Sequence, residues 1–168
     1  MSLTLVLGGA RSGKSRHAEE LVERLPGPWS YIATAQAYDE EMAERIALHR
    51  SRRGDGWDTL DAPHELAGAL NGLPAGRPVL VDCLTLWLTN RMLAEADVAT
   101  ESAALAEALA GREGPTIVVS NEVGLSIVPE NALARRFRDA QGRLNQMVAA
   151  RAGTVIFMVA GLPMRVKG

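Results

Sequence analysis

The segment Gly8-Gly9-Ala10-Arg11-Ser12-Gly13-Lys14-Ser15 restricts the fold of this chain more than any other feature. Its spacing, Gly-x4-Gly-Lys-Ser, satisfies every fixed position of the Walker A loop, which joins a strand to a helix and binds phosphate. An apolar run at residues 3–7 precedes it, and a helical pattern over residues 14–25 follows it. A glycine-rich turn that precedes a lysine by chance is the alternative, but this flanking strand and helix are the context that the motif requires.

Each residue type in this loop has a physical reason. Glycines let the loop curl so that backbone N–H groups point at phosphate oxygens, and the following helix adds its positive dipole end. Lys14 is a candidate catalytic residue that neutralises the β- and γ-phosphates of ATP or GTP, and the Ser15 hydroxyl is a candidate Mg²⁺ ligand. The candidate nucleotide-binding residues here are Gly8, Gly9, Ala10, Arg11, Ser12, Gly13, Lys14 and Ser15.

Asp82 follows the short apolar run at residues 79–81. A carboxylate at the end of such a strand is typical of the second Mg²⁺ ligand of phosphate-loop enzymes, which holds the ion directly or through water. The alternative is that Asp82 caps the helix that follows it. The Walker A loop favours the metal role.

Short apolar runs alternate with longer helical patterns along the whole chain. This alternation predicts a doubly wound, mostly parallel α/β sheet with helices on both faces, in one domain over residues 1–168. We expect strands at residues 3–7, 29–33, 79–81, 116–120 and 154–159, the last being the final core strand. We expect helices at residues 14–25, 39–53, 63–71, 84–95, 101–110 and 133–151.

His49 stands directly before an arginine cluster near the end of the second predicted helix. Its spacing from Met42 and Ile46 places it on one helix face with them, so one interpretation is a half-buried packing residue. Arg50, Arg52 and Arg53 suit a polyphosphate, and an imidazole beside them could attack phosphorus to form a covalent intermediate. The residues by themselves leave both interpretations open.

Composition excludes several classes of protein. The formal net charge of −2 argues against a general nucleic-acid binder. No apolar run approaches the roughly 20 residues of a membrane span, and the first residues do not resemble a signal peptide. Cys83 is the single cysteine, which fits a reducing compartment. We therefore expect a cytoplasmic protein with no membrane span and no nucleic-acid partner.

Beyond the Walker A loop, several blocks resemble one known family. They are Tyr31-Ile32-Ala33-Thr34-Ala35, Asp39-Glu40-Glu41-Met42 leading to Arg45-Ile46-x-x-His49-Arg50, Trp57, Asp82-Cys83-Leu84-Thr85-Leu86-Trp87-Leu88-x-Asn90, Val119-Ser120-Asn121-Glu122-Val123-Gly124, Ile127-Val128-Pro129-Glu130-Asn131 and Phe137-Arg138-Asp139-x-x-Gly142-x-x-Asn145-Gln146. With the Walker A loop, the similarity to this family runs from the first predicted strand to the last. The chain resembles the bifunctional adenosylcobinamide kinase / adenosylcobinamide-phosphate guanylyltransferase family of cobalamin biosynthesis.

This resemblance implies a RecA-like P-loop NTPase fold, a homotrimer, and a corrinoid substrate that is first phosphorylated and then receives GMP from GTP. It also implies that His49 is the residue that carries the GMP. The further nucleotide-contacting positions it implies are Ala33, Thr34, Ala35, Arg50, Ser51, Arg52, Arg53, Asp61 and Cys83. Asp61 is a departure, because the family usually has glutamate there.

Two other functions remain as alternatives. A monofunctional small-molecule P-loop kinase would leave His49 structural and form no covalent nucleotide. A nucleotide-dependent switch would hydrolyse its nucleotide without any acceptor.

Overall fold

The computed structural model describes residues 3–168, and for Arg45, His49 and Arg52 it describes the backbone alone. The strands in this range are β1 (Leu3–Gly8), β2 (Trp29–Ala33), β3 (Trp57–Asp61), β4 (Val79–Asp82), β5 (Thr116–Asn121), β6 (Thr154–Val159) and β7 (Leu162–Lys167). The helices are α1 (Lys14–Glu23), α2 (Glu40–Arg52), α3 (Leu66–Asn71), α4 (Leu84–Leu93), α5 (Val98–Gly111) and α6 (Ala132–Arg151).

The described strands form one seven-stranded sheet in the order β3-β2-β4-β5-β1-β6-β7. Every neighbouring pair from β3 to β6 is parallel, and β7 is antiparallel to β6. In register, Gly8 of β1 pairs with Asn121 of β5, and Asp82 of β4 pairs with Val119. The carboxyl ends of β1, β4 and β5 therefore meet at one edge, where ligands bind in open α/β sheets.

The two faces of the sheet are covered by different helices. Leu5 packs in a core with α3, α4, α5 and α6, whereas the next residue, Val6, packs in a core with α1. Successive side chains of a strand point to opposite faces, and burial of both faces explains why the strands read as continuous apolar runs. The prediction of a doubly wound, mostly parallel sheet is confirmed.

Both edge strands of the sheet were absent from the predicted set. β3 carries the polar sequence Trp-Asp-Thr-Leu-Asp, and β7 contains Pro163, so neither shows the apolar run of a central strand. Edge strands need less burial and tolerate proline, because one side of their backbone is free. The expected final core strand at residues 154–159 is followed by the edge strand β7.

Helix starts also differ from the expected positions. α3 begins at Leu66 instead of residue 63, and α5 begins at Val98 instead of residue 101. Asp97 explains the earlier start of α5, because its carboxylate accepts a hydrogen bond of 3.2 Å from the backbone of Thr100. Asp, Asn, Ser and Thr at this position satisfy the unpaired amides of a first turn.

Helix α2 is attached to the rest of the molecule differently from its neighbours. Asp39 caps its first turn by accepting a hydrogen bond of 2.8 Å from the Met42 backbone. Glu40 and Glu41 lie in that first turn, where they complement the helix dipole. None of the described side chains of α2 is buried, in contrast to those of α1, α4 and α6. Helix α2 therefore buries less side-chain surface than those helices do.

Candidate nucleotide-binding site

The predicted phosphate loop joins β1 to α1. Gly13 lies directly before α1 with φ of 89°, in the left-handed region that favours glycine. At Gly8, a side-chain carbon would collide with the hydroxyl of Ser12, whose side chain is buried. The two glycines that define the motif are thus required by the backbone path and by close packing.

Lys14 stands at the first position of α1. Its Nζ donates a hydrogen bond of 2.9 Å to the carbonyl of Gly9, within the loop itself. Burial lowers the pKa of Lys14, while its interactions with Cys83 and Asp82 act in the opposite direction. A half-buried ammonium beside a loop of backbone amides is a ready partner for a polyphosphate.

A cavity of about 320 Å³ opens next to this loop, at the carboxyl edge of the sheet. It is lined by Lys14, Ser15, Tyr31, Ala33, Ala35, Met42, Ile46, Arg50, Arg53, Asp82, Cys83, Leu86 and Asn121. The predicted phosphate-binding residues Lys14 and Ser15 and the arginine-bearing end of α2 therefore line the same cavity.

Asp82 reaches this cavity from the end of β4. It does not cap α4, because the capping position belongs to Cys83 and no side-chain capping bond is present there. The phenol of Tyr31 donates a hydrogen bond of 3.0 Å to Asp82 Oδ2. Burial, followed by the charge of Asp82, raises the pKa of Tyr31 well above its usual range, so the phenol remains a donor.

Ser15 and Asp82 supply one hydroxyl and one carboxylate. Among the described residues, no three or more His, Cys, Asp or Glu side chains form a group that could hold a metal ion. This sparse oxygen set fits Mg²⁺, which keeps several waters and completes its shell with substrate phosphates.

The predicted residues at the ends of β2 and β4 divide into two groups. Ala33, Ala35 and Cys83 line the cavity, whereas Thr34 is fully buried beneath it. The Thr34 hydroxyl donates to the carbonyl of Cys83 at 2.6 Å and accepts from its N–H at 2.8 Å. Thr34 therefore fixes the backbone of Cys83, and its hydroxyl is already engaged.

The arginines of α2 and its end occupy different environments. The Arg53 guanidinium lies 3.5 Å from the centre of the Tyr31 ring, and its buried Nη1 has no hydrogen-bond partner among the described residues. Arg50 pairs with Asp61, which is exposed at the end of β3. The Ser51 hydroxyl donates to the carbonyl of Leu48 at 2.9 Å and does not line the cavity.

The side chains of His49 and Arg52 lie outside the described part of the structure, so their predicted roles stay predictions. The backbone of position 49 belongs to α2, seven residues after Met42. Met42, Ile46, Arg50 and Arg53 all line the cavity. Two helical turns separate residues 42 and 49, so the backbone of position 49 is on the helix side that the cavity-lining residues share.

Besides Met42 and Ile46 of α2, three further residues line the cavity without having been assigned a role from the sequence, namely Tyr31, Leu86 and Asn121. Their positions in the sequence could have indicated a place in the site. Tyr31 and Asn121 stand near the ends of the predicted strands at residues 29–33 and 116–120, and Leu86 follows the predicted strand at residues 79–81. In a parallel sheet such ends meet at one edge. The strand order that brings them together is not contained in the local sequence.

Comparison with known proteins agrees with this geometry. Residues 4–166 match the family model described as "Cobinamide kinase / cobinamide phosphate guanyltransferase". The "Bifunctional adenosylcobalamin biosynthesis protein CobP" of Pseudomonas aeruginosa is 53% identical over 167 residues, covering 98% of this chain and 96% of that protein. The "Bifunctional adenosylcobalamin biosynthesis protein CobU" of Salmonella typhimurium is 39% identical over 181 residues, covering 98% of this chain and 99% of the relative.

Solved structures of low sequence identity share the fold. The flagellar accessory protein FlaH from Methanocaldococcus jannaschii superposes with a TM-score of 0.54 at 14% identity, covering 99% of this chain and 78% of its own. The P4 protein of bacteriophage phi6, solved in complex with ADP, gives 0.51 at 20% identity, covering 96% and 52%. The fold is therefore that of the RecA-like P-loop NTPases. Within residues 3–168, no helix has both the length and the apolar character that crossing a bilayer requires.

Proposed function

This chain belongs to the cobinamide kinase / cobinamide phosphate guanyltransferase family, and from that premise we propose that one phosphate-binding cavity serves two successive reactions. The two activities are the phosphorylation of cobinamide and the transfer of a guanylyl group to cobinamide phosphate, in the biosynthesis of cobalamin. The observation that carries the single-cavity proposal is that Lys14 and Asp82 share a cavity with Arg50 and Arg53.

In the kinase step, the cobinamide hydroxyl attacks the γ-phosphorus of ATP or GTP, and the nucleoside diphosphate leaves. Positioning and charge neutralisation supply most of the acceleration in such transfers. We assign the charge neutralisation to Lys14 and to the loop amides of Gly8–Ser15. Lys14 exchanges its bond to Gly9 for phosphate oxygens when nucleotide enters.

Ser15 and Asp82 would hold Mg²⁺, which would supply charge stabilisation and orient the phosphates. Tyr31 holds one oxygen of Asp82, which leaves the other carboxylate oxygen free for the ion or its water shell. Tyr31 itself is fixed from the other side by the stacked guanidinium of Arg53. The phenol therefore connects the metal carboxylate to the end of α2.

In the guanylyl step, the neutral imidazole of His49 attacks the α-phosphorus of GTP. A phosphorus–nitrogen bond forms, the bond to the bridging oxygen breaks, and pyrophosphate leaves. A phosphate oxygen of cobinamide phosphate then attacks the same phosphorus and releases the histidine. Splitting the displacement into two in-line steps is the usual gain of a covalent intermediate. The unpaired Nη1 of Arg53 and the exposed Arg50 are donors for the displaced phosphates.

The shallow burial of α2 suits the proposed role of His49, which must contact first GTP and then a bulky corrinoid. α2 contributes no buried side chain among its described residues, so its displacement costs little apolar burial. Gly54 and Gly56 follow its end, and Gly56 has φ of 108°. We propose that the unit over residues 39–56 moves between the two partial reactions.

The assembly and location of the protein complete the proposal. We propose a homotrimer, as the family resemblance implies. Exposed apolar side chains that could lie in such an interface are Leu93, Leu125, Ile127, Val128 and Leu133. We also propose a cytoplasmic location, since Cys83 is a free, buried thiol that needs no oxidising compartment.

Mass spectrometry of the intact protein after incubation with GTP and Mg²⁺ tests the covalent step. The expected result is a mass increase of one guanylyl group, mapped to His49 after digestion at neutral or basic pH. A protein that phosphorylates cobinamide but never gains this mass would be a monofunctional kinase. A protein that only hydrolyses nucleotide in the presence of cobinamide would be a switch.

A further inference from the structure

Asn121 lies where the phosphate loop and the metal carboxylate come together. It is the last residue of β5, the strand between β1 and β4. Its register partner is Gly8, where the phosphate loop begins, and Glu122 then donates a backbone hydrogen bond of 3.0 Å to the Gly8 carbonyl. Asp82 pairs with Val119, two residues earlier on the same strand. Asn121 is thus held at the start of the phosphate loop, two residues along β5 from the register partner of Asp82, the proposed Mg²⁺ ligand.

The alternation of β5 sets the face on which Asn121 lies. Ile117 and Val119 belong to the core cluster that packs against Ala18 and Val22 of α1. Asn121 continues this series at the period of two, so its side chain is on the α1 side of the sheet. Lys14 and Ser15 begin α1, and they line the same cavity as Asn121.

A buried polar network fixes the backbone around Asn121. The Asn121 N–H donates to the Thr85 hydroxyl at 2.8 Å, and the Asn121 carbonyl accepts from Asn145 Nδ2 at 3.1 Å. Asn145 is in turn bonded to Ser120 and Gln141 on the opposite face of the sheet. The main chain of Asn121 is therefore anchored to both α4 and α6.

The side chain of Asn121 is not part of this network. Its Oδ1 is buried and has no hydrogen-bond partner among the described residues. A buried amide oxygen without a partner is destabilising, so a position that serves only packing favours an apolar side chain of similar shape. Asn121 nevertheless lines the cavity on a backbone that is fixed from two sides, which is the arrangement expected of a ligand-binding group.

We propose that the side-chain amide of Asn121 binds the terminal phosphoryl group of the bound nucleoside triphosphate. In this arrangement Nδ2 donates a hydrogen bond to a γ-phosphoryl oxygen. The inference rests on the proposed nucleotide site and names a further residue of it. Asn121 then senses the group that the kinase step transfers, and a diphosphate leaves it without a partner.

The test compares the affinities for GTP and GDP in the presence of Mg²⁺ by isothermal titration calorimetry. All variants carry His49→Ala, so that GTP is not consumed by adduct formation, and no corrinoid is present. Asn121→Ala should raise the Kd for GTP on the order of tenfold and leave the Kd for GDP within about twofold. Asn121→Asp should raise the Kd for GTP further, because it places a carboxylate of the same shape against the phosphate.

Ser120→Ala is the matched control, since it removes a buried hydroxyl from the same strand and from the opposite face. It should lower Tm without changing the ratio of the two Kd values. Equal changes for GTP and GDP in both Asn121 variants, or no change for either nucleotide, would overturn the inference. Asn121→Asp conserves volume, so it remains informative if the alanine variant does not fold.

The outcome is separable from that of the proposed function. Cobinamide phosphorylation by the unsubstituted protein is measured independently of these affinities. Normal kinase activity with an unchanged ratio of Kd values removes the role of Asn121 alone. Failure of the protein with His49→Ala as its only substitution to bind GTP or GDP would remove both the nucleotide site and the inference.

Discussion

Arg50 Nη2 donates to both carboxylate oxygens of Asp61, each at 2.7 Å. The pair joins α2 to the end of β3, and both side chains are about half exposed, at 49% and 60%. An exposed ion pair contributes about 0–1 kcal/mol to folding, so its value for global stability is small. Both residues belong to the predicted nucleotide-contacting set, which makes the pair a better candidate for positioning Arg50 than for stabilising the fold.

We therefore expect Asp61→Ala to lower the rate of guanylyl adduct formation while changing the free energy of unfolding by less than about 1 kcal/mol. Asp61→Glu keeps the carboxylate and should retain most of the activity. Urea denaturation and the adduct rate are measured on the same preparations. A large loss of stability with Asp61→Ala would show that the pair is mainly structural.

Lys14→Ala should reduce both activities on the order of 10²-fold or more, because both reactions lose the same charge neutralisation at the phosphates. Arg16→Ala is the matched control, since it removes an exposed cation two residues further along α1. Separate assays of cobinamide phosphorylation and guanylyl transfer give the two rates. A Lys14→Ala variant that still phosphorylates cobinamide at the original rate contradicts the assignment.

His49→Ala should abolish the covalent GMP adduct and guanylyl transfer, and should largely spare phosphorylation, because the γ-phosphoryl group passes directly to the hydroxyl. The adduct of the unsubstituted protein should be labile in acid and stable in base, as expected of a phosphorus–nitrogen bond. Leu48→Ala, at an exposed neighbouring position, should leave both activities intact. Parallel loss of both activities at an unchanged Tm, or an adduct that persists without His49, would exclude the nucleophile role.

Asp82→Asn should raise the Mg²⁺ concentration needed for half-maximal activity in both steps, since the amide is a weaker ligand of the same volume. Tyr31→Phe removes only the hydrogen bond to Asp82 and should produce a smaller shift in the same direction. Titrating Mg²⁺ at saturating nucleotide measures both. An unchanged requirement in Asp82→Asn would show that the carboxylate does not hold the metal.

Cys83 should be unreactive in the folded protein. Burial, assisted by the charge of Asp82, raises its pKa to about 12, so the reactive thiolate is scarce at pH 8. Iodoacetamide should modify the urea-unfolded chain much faster than the native one. The raised pKa also implies that this thiol's contribution to stability is present below 9.0, the ordinary pKa of a cysteine thiol, and is lost as pH rises towards 12. Rapid native alkylation at pH 8 would contradict the burial of this residue.

The parts of the molecule that could be predicted from the sequence are those determined by interactions between residues close together in the chain. The phosphate loop is defined by spacing, and the central strands by continuous burial on two faces. β3 and β7 were not predicted, because an edge strand such as Trp57–Asp61 buries little and shows no apolar run. Asn121 and Tyr31 belong to blocks that resemble the family, yet their contribution to the cavity depends on the order of β2, β4 and β5 in the sheet. That order is a long-range property.

Because α2 is weakly buried, the free energy of its local opening differs from the free energy of unfolding the sheet. We expect amide hydrogens of β1, β4 and β5 to exchange only when the two cores open, and those of α2 to exchange through a local opening that exposes little apolar surface. Under the proposed movement of residues 39–56, α2 would detach and redock many times while the sheet stays folded. Catalytic turnover would then require no unfolding of the sheet.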